Sequence, residues 1–262
     1  MESKEILALY DQEERINAAA PGMRRQVDGP VVRLIMEEEA QGMSYISYSH
    51  LNEANTDEVI ARQVAYFQEL ERPFEWTHYS HDQPADLGLR LQAAGLEPDE
   101  TGSLMALELA EAPPQLLAPI TADLRRVTNA AGLETVRALL EAVWDDPFAW
   151  FIPRMSRYLT PAGYVSIYLA YIDNQPASTA WVFFPEGSRF GGLFGGTTLE
   201  PYRGRGLYTA LLAARVQEAL RRGYRFLHVD AGDMSRPIVA RHGFSLLVKT
   251  TPYVWRPECL QI

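Results

Sequence analysis

Between Leu199 and Tyr208 the chain reads Leu-Glu-Pro-Tyr-Arg-Gly-Arg-Gly-Leu-Tyr, after a glycine-rich, strand-like segment and before an amphipathic helical one. Gly204 and Gly206 permit backbone conformations that residues with side chains resist. Successive amides in such a turn can point into one concavity. The helix that starts at Leu207 and Tyr208 adds unpaired first-turn N–H groups and the positive end of its dipole. Arg203 and Arg205 place full charges beside them. Together these residues describe a receptor for a diphosphate. The loop is not a P-loop, because no Gly-Lys-Ser/Thr follows, and its late glycines fit a dinucleotide fold poorly.

The elements that must hold this loop follow from hydrophobic patterning. Leu207, Leu211, Leu212, Val216 and Leu220 form one face of a helix over 207–222, with Gly223 at its stop. The spacing before it predicts helices over 133–144 and 148–158, then strands over 165–172, 177–184 and 189–199. Asp173-Asn174 joins the first two strands as a hairpin. After it come a strand over 225–230, a short helix over 236–242 with Ser235 as N-cap, and strands over 244–248 and 252–255. The first half predicts helices over 5–20, 57–70 and 84–94, with strands over 31–35, 44–49, 74–79 and 104–109. Both halves close with strand, helix, Gly plus an apolar residue, and strand, a weak internal duplication. The proline cluster in 111–119 reads as a linker. The expected division is a first domain over 1–112, a linker over 113–119 and a second domain over 120–262.

Charge separates the same halves. The 262 residues carry a net charge of −10, which disfavours binding along a nucleic-acid backbone. Residues 1–115 hold 8 basic and 22 acidic side chains, whereas 116–262 hold 16 and 12. Six arginines (203, 205, 215, 221, 222 and 225) form a local basic island within 201–225. The single cysteine, Cys259, excludes an intrachain disulfide and a cysteine-based zinc site. His78-x-x-His81 has no supporting ligand set, so no metal is expected. The acidic start lacks a secretory pattern, and Asp173-Asn174-Gln175 interrupts the most apolar stretch, so no membrane span is expected. A cytoplasmic protein is the expectation; oligomeric state is not legible.

Residues 164–256 resemble the GCN5-related N-acetyltransferase (GNAT) superfamily. Its Arg/Gln-x-x-Gly-x-Gly/Ala pattern matches Arg203, Gly206 and, imperfectly, Tyr208; its later helix and Gly-Phe ending match Ser235 to His242 and Gly243-Phe244. The resemblance implies an α/β (α+β) fold with a mixed, mostly antiparallel sheet flanked by helices, here as two tandem GNAT-like domains. It implies acetyl-CoA as donor and co-substrate, with the pyrophosphate on the amides of Arg203, Gly204, Arg205, Gly206, Leu207 and Tyr208. Thr197, Thr198 and Leu199 would pair with the pantetheine amides, and Ser235 would complete the cofactor set. Tyr208 replaces the family's small last loop residue. Val239 stands where many members carry a proton-donating Tyr, so that acid role is vacant. In the first half Leu91 to Leu96 resembles the family's Leu-x-x-x-Gly-Phe. The corresponding loop, Leu51 to Asp57, has no Gly or Arg and bears two acids, which repel a diphosphate. The first domain is therefore expected to be degenerate and without cofactor.

Acetyl transfer from a thioester to an amine needs a neutral amine, donors for the oxyanion and reactants held in contact. Backbone near Thr197 and Thr198 can supply the donors. Gly191-Gly192 and Gly195-Gly196 permit either a bulge with close ligand approach or a tightly packed sheet crossing. Asp230 is a candidate base or a turn residue, Asp233 stands just after it, and His228 is a candidate relay or a hydrogen-bonded core histidine. Tyr208 and Tyr202 are candidates for the missing acid or simply pack on the cofactor. Trp144, Phe148 and Trp150, with Asp145 and Asp146, either enclose a cationic acceptor or form an aromatic contact between the domains. The expected activity is direct acetyl transfer to the primary amine of a small molecule or peptide. The alternative is a non-catalytic acyl-CoA-binding sensor or partner-binding protein.

Overall fold

The structure is a computed structural model that describes residues 1–37, 42–144, 146–159 and 163–257. Asp145 and Cys259 lie outside the described residues. In chain order the elements begin with α1 (Ser3–Tyr10), a π-helical continuation (Asp11–Ile16), β1 (Met23–Asp28), β2 (Val31–Met36), β3 (Ser44–Ser49) and α2 (Thr56–Glu69). Next come β4 (Phe74–Tyr79), α3 (Leu87–Ala93), β5 (Glu97–Pro98), β6 (Gly102–Glu108), α4 (Pro114–Leu117) and β7 (Asp123–Arg126). They continue with α5 (Ala130–Trp144), α6 (Phe151–Leu159), β8 (Val165–Ile172), β9 (Gln175–Phe183) and β10 (Phe190–Thr198). The last are α7 (Leu207–Arg221), β11 (Phe226–Asp230), α8 (Arg236–Arg241) and β12 (Ser245–Trp255).

The chain divides into two compact units, and the division is not linear. The first takes Met1–Met105, Asp230–Pro237 and the C-terminal segment from Leu246; the second takes Ala106–Val229 and Ile238–Ser245. The last strand joins residues far earlier in sequence. Thr250 to Trp255 of β12 pair antiparallel with Tyr79 to Phe74 of β4. The stretch read as a linker is ordered within the second unit. Its Leu116 is buried, and Gln217 Nε2 donates to the carbonyl oxygens of Leu116 and Ala118 at 3.0 and 2.9 Å.

Within each unit the strand order repeats. In the first, β1, β2 and β3 form an antiparallel meander, α2 crosses over, and β4 returns parallel to β3. In the second, β8, β9 and β10 form the meander, α7 crosses over, and β11 returns parallel to β10. A parallel return requires such a crossover helix, whose apolar face must lie on the sheet. The first core gathers Val59, Ile60 and Phe67 of α2 with Phe74, Trp76, Tyr253 and Trp255. The second gathers Leu133, Val136 and Leu140 of α5 with Phe151, Ile167 and Trp181. The sheets are mixed and mainly antiparallel, as the resemblance implies.

The β9–β10 register shifts between Phe194 and Thr197, a bulge. Gly195 holds φ +64°, and a Cβ there would sit 1.8 Å from the Trp181 ring. The bulge therefore depends on glycine for both conformation and space. Gly195→Ala is expected to destabilise the protein by roughly 2–4 kcal/mol through overpacking and left-handed strain. The denaturant midpoint at unchanged slope is the measurement.

Candidate acetyl-transfer site

In the second unit β10 and β11 are joined through Phe190–Phe226, Gly191–Leu227 and Gly192–His228. Beyond Gly192, β10 pairs with β9 alone among the described residues. The parallel strands part, and one edge of β10 is left for an extended partner. Alternation along the strand decides which amides face that edge. Leu199 N–H donates to the Ala177 carbonyl of the β9 segment at 3.0 Å, so it points away. Thr198, one residue earlier, faces the open side. Its carbonyl accepts from Arg203 Nε at 3.3 Å, and its hydroxyl meets Ser178 Oγ at 2.7 Å.

The loop below this edge has the conformation its glycines permit. Gly204 and Gly206 hold φ +74° and +77°, and no atom lies within 4 Å of where a Cβ would stand. Gly206 is the N-cap of α7, with no side-chain cap. The first N–H groups of a helix have no intrahelical acceptor, so the amides of Gly206, Leu207, Tyr208 and Thr209 remain available to a ligand. Arg203 folds back on Thr198, and the Arg205 guanidinium lies 5.5 Å from the Tyr202 ring centroid. Both stay beside the loop.

Three of the other four arginines in 201–225 are engaged elsewhere and do not extend this charge into one basic face. Arg215 is buried and donates to the Leu211 and Trp181 carbonyls at 3.1 and 3.3 Å. Burial lowers its pKa to about 10. Arg222 pairs with Glu218 at 2.6 Å, and Arg225 pairs with Glu108 at 2.9 Å.

Tyr208 comes to the strand edge. A Cβ on Gly196 would lie 3.4 Å from its ring, and the His242 ring lies beside it, tilted by 34° at 6.1 Å between centroids. Burial raises the Tyr208 pKa despite the opposing charge of Arg215, so the phenol keeps its proton. Val239 is buried in the core and offers no proton. Trp144, half exposed at the end of α5, donates from Nε1 to Thr197 Oγ1 at 3.1 Å. This contact joins the aromatic segment to β10 and was not legible in the sequence; the Gly195-Gly196 pair was the one hint of a specialised strand.

Phe148 and Trp150 stand 6.0 Å apart, and the Arg154 guanidinium already lies 5.8 Å from the Trp150 ring. Asp146 Oδ1 accepts the Phe148 N–H at 2.7 Å, closing a local turn. Asp230 and Ser235 fall in the first compact unit. There Thr250 Oγ1 donates to both Asp230 carboxylate oxygens at 2.8 and 2.7 Å. Burial outweighs those bonds and raises the Asp230 pKa. Ser235 Oγ donates to the Gly232 carbonyl at 3.2 Å. It closes a turn rather than accepting from α8 as an N-cap would.

With this geometry in view, residues 136–244 match the acetyltransferase (GNAT) family model. Most of that match lies in the second unit, and the general chemistry of the matched family is acyl-CoA-dependent acetyl transfer. The fold of the whole chain is similar to a GCN5-related N-acetyltransferase from Kribbella flavida. That likeness has TM-score 0.70 and 17% identity, and covers 98% of this chain and 97% of that one. A functionally unknown conserved protein from Staphylococcus epidermidis is similar at TM-score 0.65 and 12% identity, covering 92% and 97%. A tandem GNAT protein from the clavulanic acid biosynthesis pathway is similar at TM-score 0.62 and 14% identity, covering 94% and 87%. At these identities the likeness is one of fold. No curated protein matches the sequence.

His228 is buried, and burial alone lowers its pKa from 6.5 to about 4. It is neutral at pH 7 and a weak base there. Between pH 6.5 and 4 the unfolded chain binds the proton that the folded chain refuses, so stability falls as pH drops through that window. Denaturation of wild type and His228→Gln at pH 7.5 and 4.5 is expected to show an extra loss of roughly 2–3 kcal/mol in wild type.

Proposed function

We propose that the protein transfers the acetyl group of acetyl-CoA directly to the primary amine of a small molecule or peptide. In this reading a GNAT domain over 120–262 holds the co-substrate. A GNAT-like domain over 1–112 has lost the diphosphate cradle, with 113–119 between them. The observation that carries the reading is the uncapped start of α7, reached through two left-handed glycines and set under the open edge of β10. The amides from Gly204 to Tyr208 would take the diphosphate, with Arg203 and Arg205 beside them. Thr198 would pair with the pantetheine arm. Acetyl-CoA supplies an activated acetyl thioester whose transfer leaves a thiol. Tyr208 Oη, kept protonated by burial, would give its proton to the departing sulfur as the C–S bond breaks and recover one from the newly acylated nitrogen. Trp144, fixed on Thr197, would wall the acceptor side with Phe148 and Trp150.

The corresponding turn of the first unit supports its reading as degenerate. Asn52 Oδ1 accepts the amides of Ala54 and Asn55 at 2.9 and 3.1 Å. Asn55 Oδ1 accepts the Asn52 amide at 2.9 Å. The chain's own amides bond to its own side chains there, beside Glu53 and Asp57.

Acetyl-CoA is expected to raise the melting temperature of wild type. Arg203→Ala/Arg205→Ala should lose only a fraction of that shift, because the backbone donors remain; no shift in wild type would reject the loop as the cofactor site. With an amine panel, thiol release should accompany acetylation. Tyr208→Phe should lower kcat by about 10²-fold with KM for acetyl-CoA little changed, the usual size of a lost acid. Binding without thiol release across the panel would leave the sensor reading.

A further inference from the structure

Large aromatic side chains are exposed at the opening of β10, beside a face that is otherwise covered. Ile167, Leu169 and Trp181 of that face are buried with α5 and α6, whereas Phe194 is 47% exposed and Trp144 54%. Single exposed rings are ordinary, but several at the margin of a covered core mark a place where something binds. All of these residues belong to the second unit.

The bulge in β10 decides which rings share a face. Side chains alternate along a strand, so regular pairing would put Phe194 and Thr197 on opposite faces. Instead Phe194 lies opposite Trp181, and Thr197 lies opposite Thr179. Directly opposed residues of an antiparallel pair share a face, and Trp181 and Thr179 are two residues apart. Phe194 and Thr197 therefore both face α5 and α6, separated by about two strand residues, roughly 7 Å. Thr197 brings Trp144 with it, through the indole hydrogen bond at 3.1 Å. Phe194 is held from the other end. Its ring meets Phe183 edge-on at 5.2 Å, and Phe183 meets Tyr158 of α6 at 5.4 Å. One ring thus stands before Gly195-Gly196 and one after it. Leu207 and Leu211 of α7 pack with Ala180, on the opposite face, so Tyr208 reaches the bulge from the other side of the sheet.

Charge on the aromatic side does not suit a polycation. The Arg154 guanidinium lies 5.8 Å from the Trp150 ring. His228 Nε2 and the Phe194 ring each come within 3.0 Å of where a Gly192 Cβ would stand, so His228 shares this face, and burial keeps it neutral at pH 7. Asp146 spends one carboxylate oxygen on its own turn. Rings beside a guanidinium repel a molecule with several positive charges and accept a flat one with a single charge.

Given acetyl transfer at this site, on which the proposal rests, we propose that the acceptor is an aromatic primary monoamine, its ring seated on Phe194 and Trp144 and its nitrogen presented to the bulge at Gly195-Gly196. The ammonium gives one proton to solvent. The neutral nitrogen then bonds the acetyl carbon as the C–S bond breaks, and the second proton it loses balances the one taken up by sulfur. The products are an N-acetyl amide and the free thiol of CoA. Phe194 is in this way a specificity-determining residue, in contact with the acceptor body.

Thiol release at saturating acetyl-CoA tests this with 2-phenylethylamine, butylamine and spermidine. 2-Phenylethylamine is expected to show kcat/KM at least about tenfold above either of the others. Phe194→Leu keeps an apolar side chain and removes the ring. It should retain the melting temperature and the stabilisation by acetyl-CoA, and raise KM for 2-phenylethylamine about three- to tenfold more than KM for butylamine. Turnover of butylamine or spermidine at equal or higher kcat/KM, or unchanged discrimination in Phe194→Leu, would overturn the aromatic acceptor and leave acetyl transfer standing. Thiol release with none of the three would overturn it as well, and the wider amine panel then decides the transfer reading separately.

Discussion

Two parallel strands that part after three residue pairs leave backbone amides and carbonyls without a ladder partner, and a folded chain must find partners for such groups or offer them to a ligand. Each unit contains one such opening, after Gly192–His228 in one and after Ile46–Trp76 in the other. The sequence answers the same geometric demand in opposite ways. The second unit keeps the edge open, bulges the strand at Gly195 and sets an uncapped helix below it. The first inserts Arg15, whose Nε takes the Ser47 carbonyl, and closes the turn before α2 with Asn52 and Asn55.

Glycine and asparagine mark this divergence more plainly than the charges do. An Arg-rich loop is attractive to a diphosphate, but the arginines of 201–225 disperse into a core contact, two ion pairs, an exposed helix end at Arg221 and two loop positions. What remains in the loop is a row of N–H groups, whose direction is fixed by backbone conformation. Catalytic assistance is correspondingly sparse. Val239 is hydrocarbon in the core and His228 is held neutral by burial, which leaves Tyr208 as the polar side chain resting against Gly196 of β10.

Much of this was legible in the residues. The Arg-Gly-Arg-Gly run, the apolar face from Leu207 to Leu220 and the Asp173-Asn174 turn are local signals, and local conformation obeys them. β1 and β7 were not legible, because Met-Arg-Arg-Gln-Val-Asp and Asp-Leu-Arg-Arg are polar edge strands with little burial to print a pattern. The strand over 245–255 looked like two, since Pro252 breaks the pattern, yet its carbonyl still accepts from Asp99 at 2.8 Å. Arg15 was invisible for another reason. Its partners Ser47 and Asp82 lie 32 and 67 residues away, so its role exists only once the chain is folded. The same holds for Trp144, which meets Thr197 53 residues on.

The placement of β12 carries a consequence for biosynthesis. Tyr253 and Trp255 sit in the core with Phe67, Phe74 and Trp76, and they are synthesised after every strand from β7 to β11. Until they emerge, β4 has an uncovered edge and the nascent first half a gap in its interior. Maturation of the amino-terminal body must therefore await the synthesis of β12, whereas the β8–β11 sheet can assemble earlier, against the usual expectation that domains ripen in the order they are made.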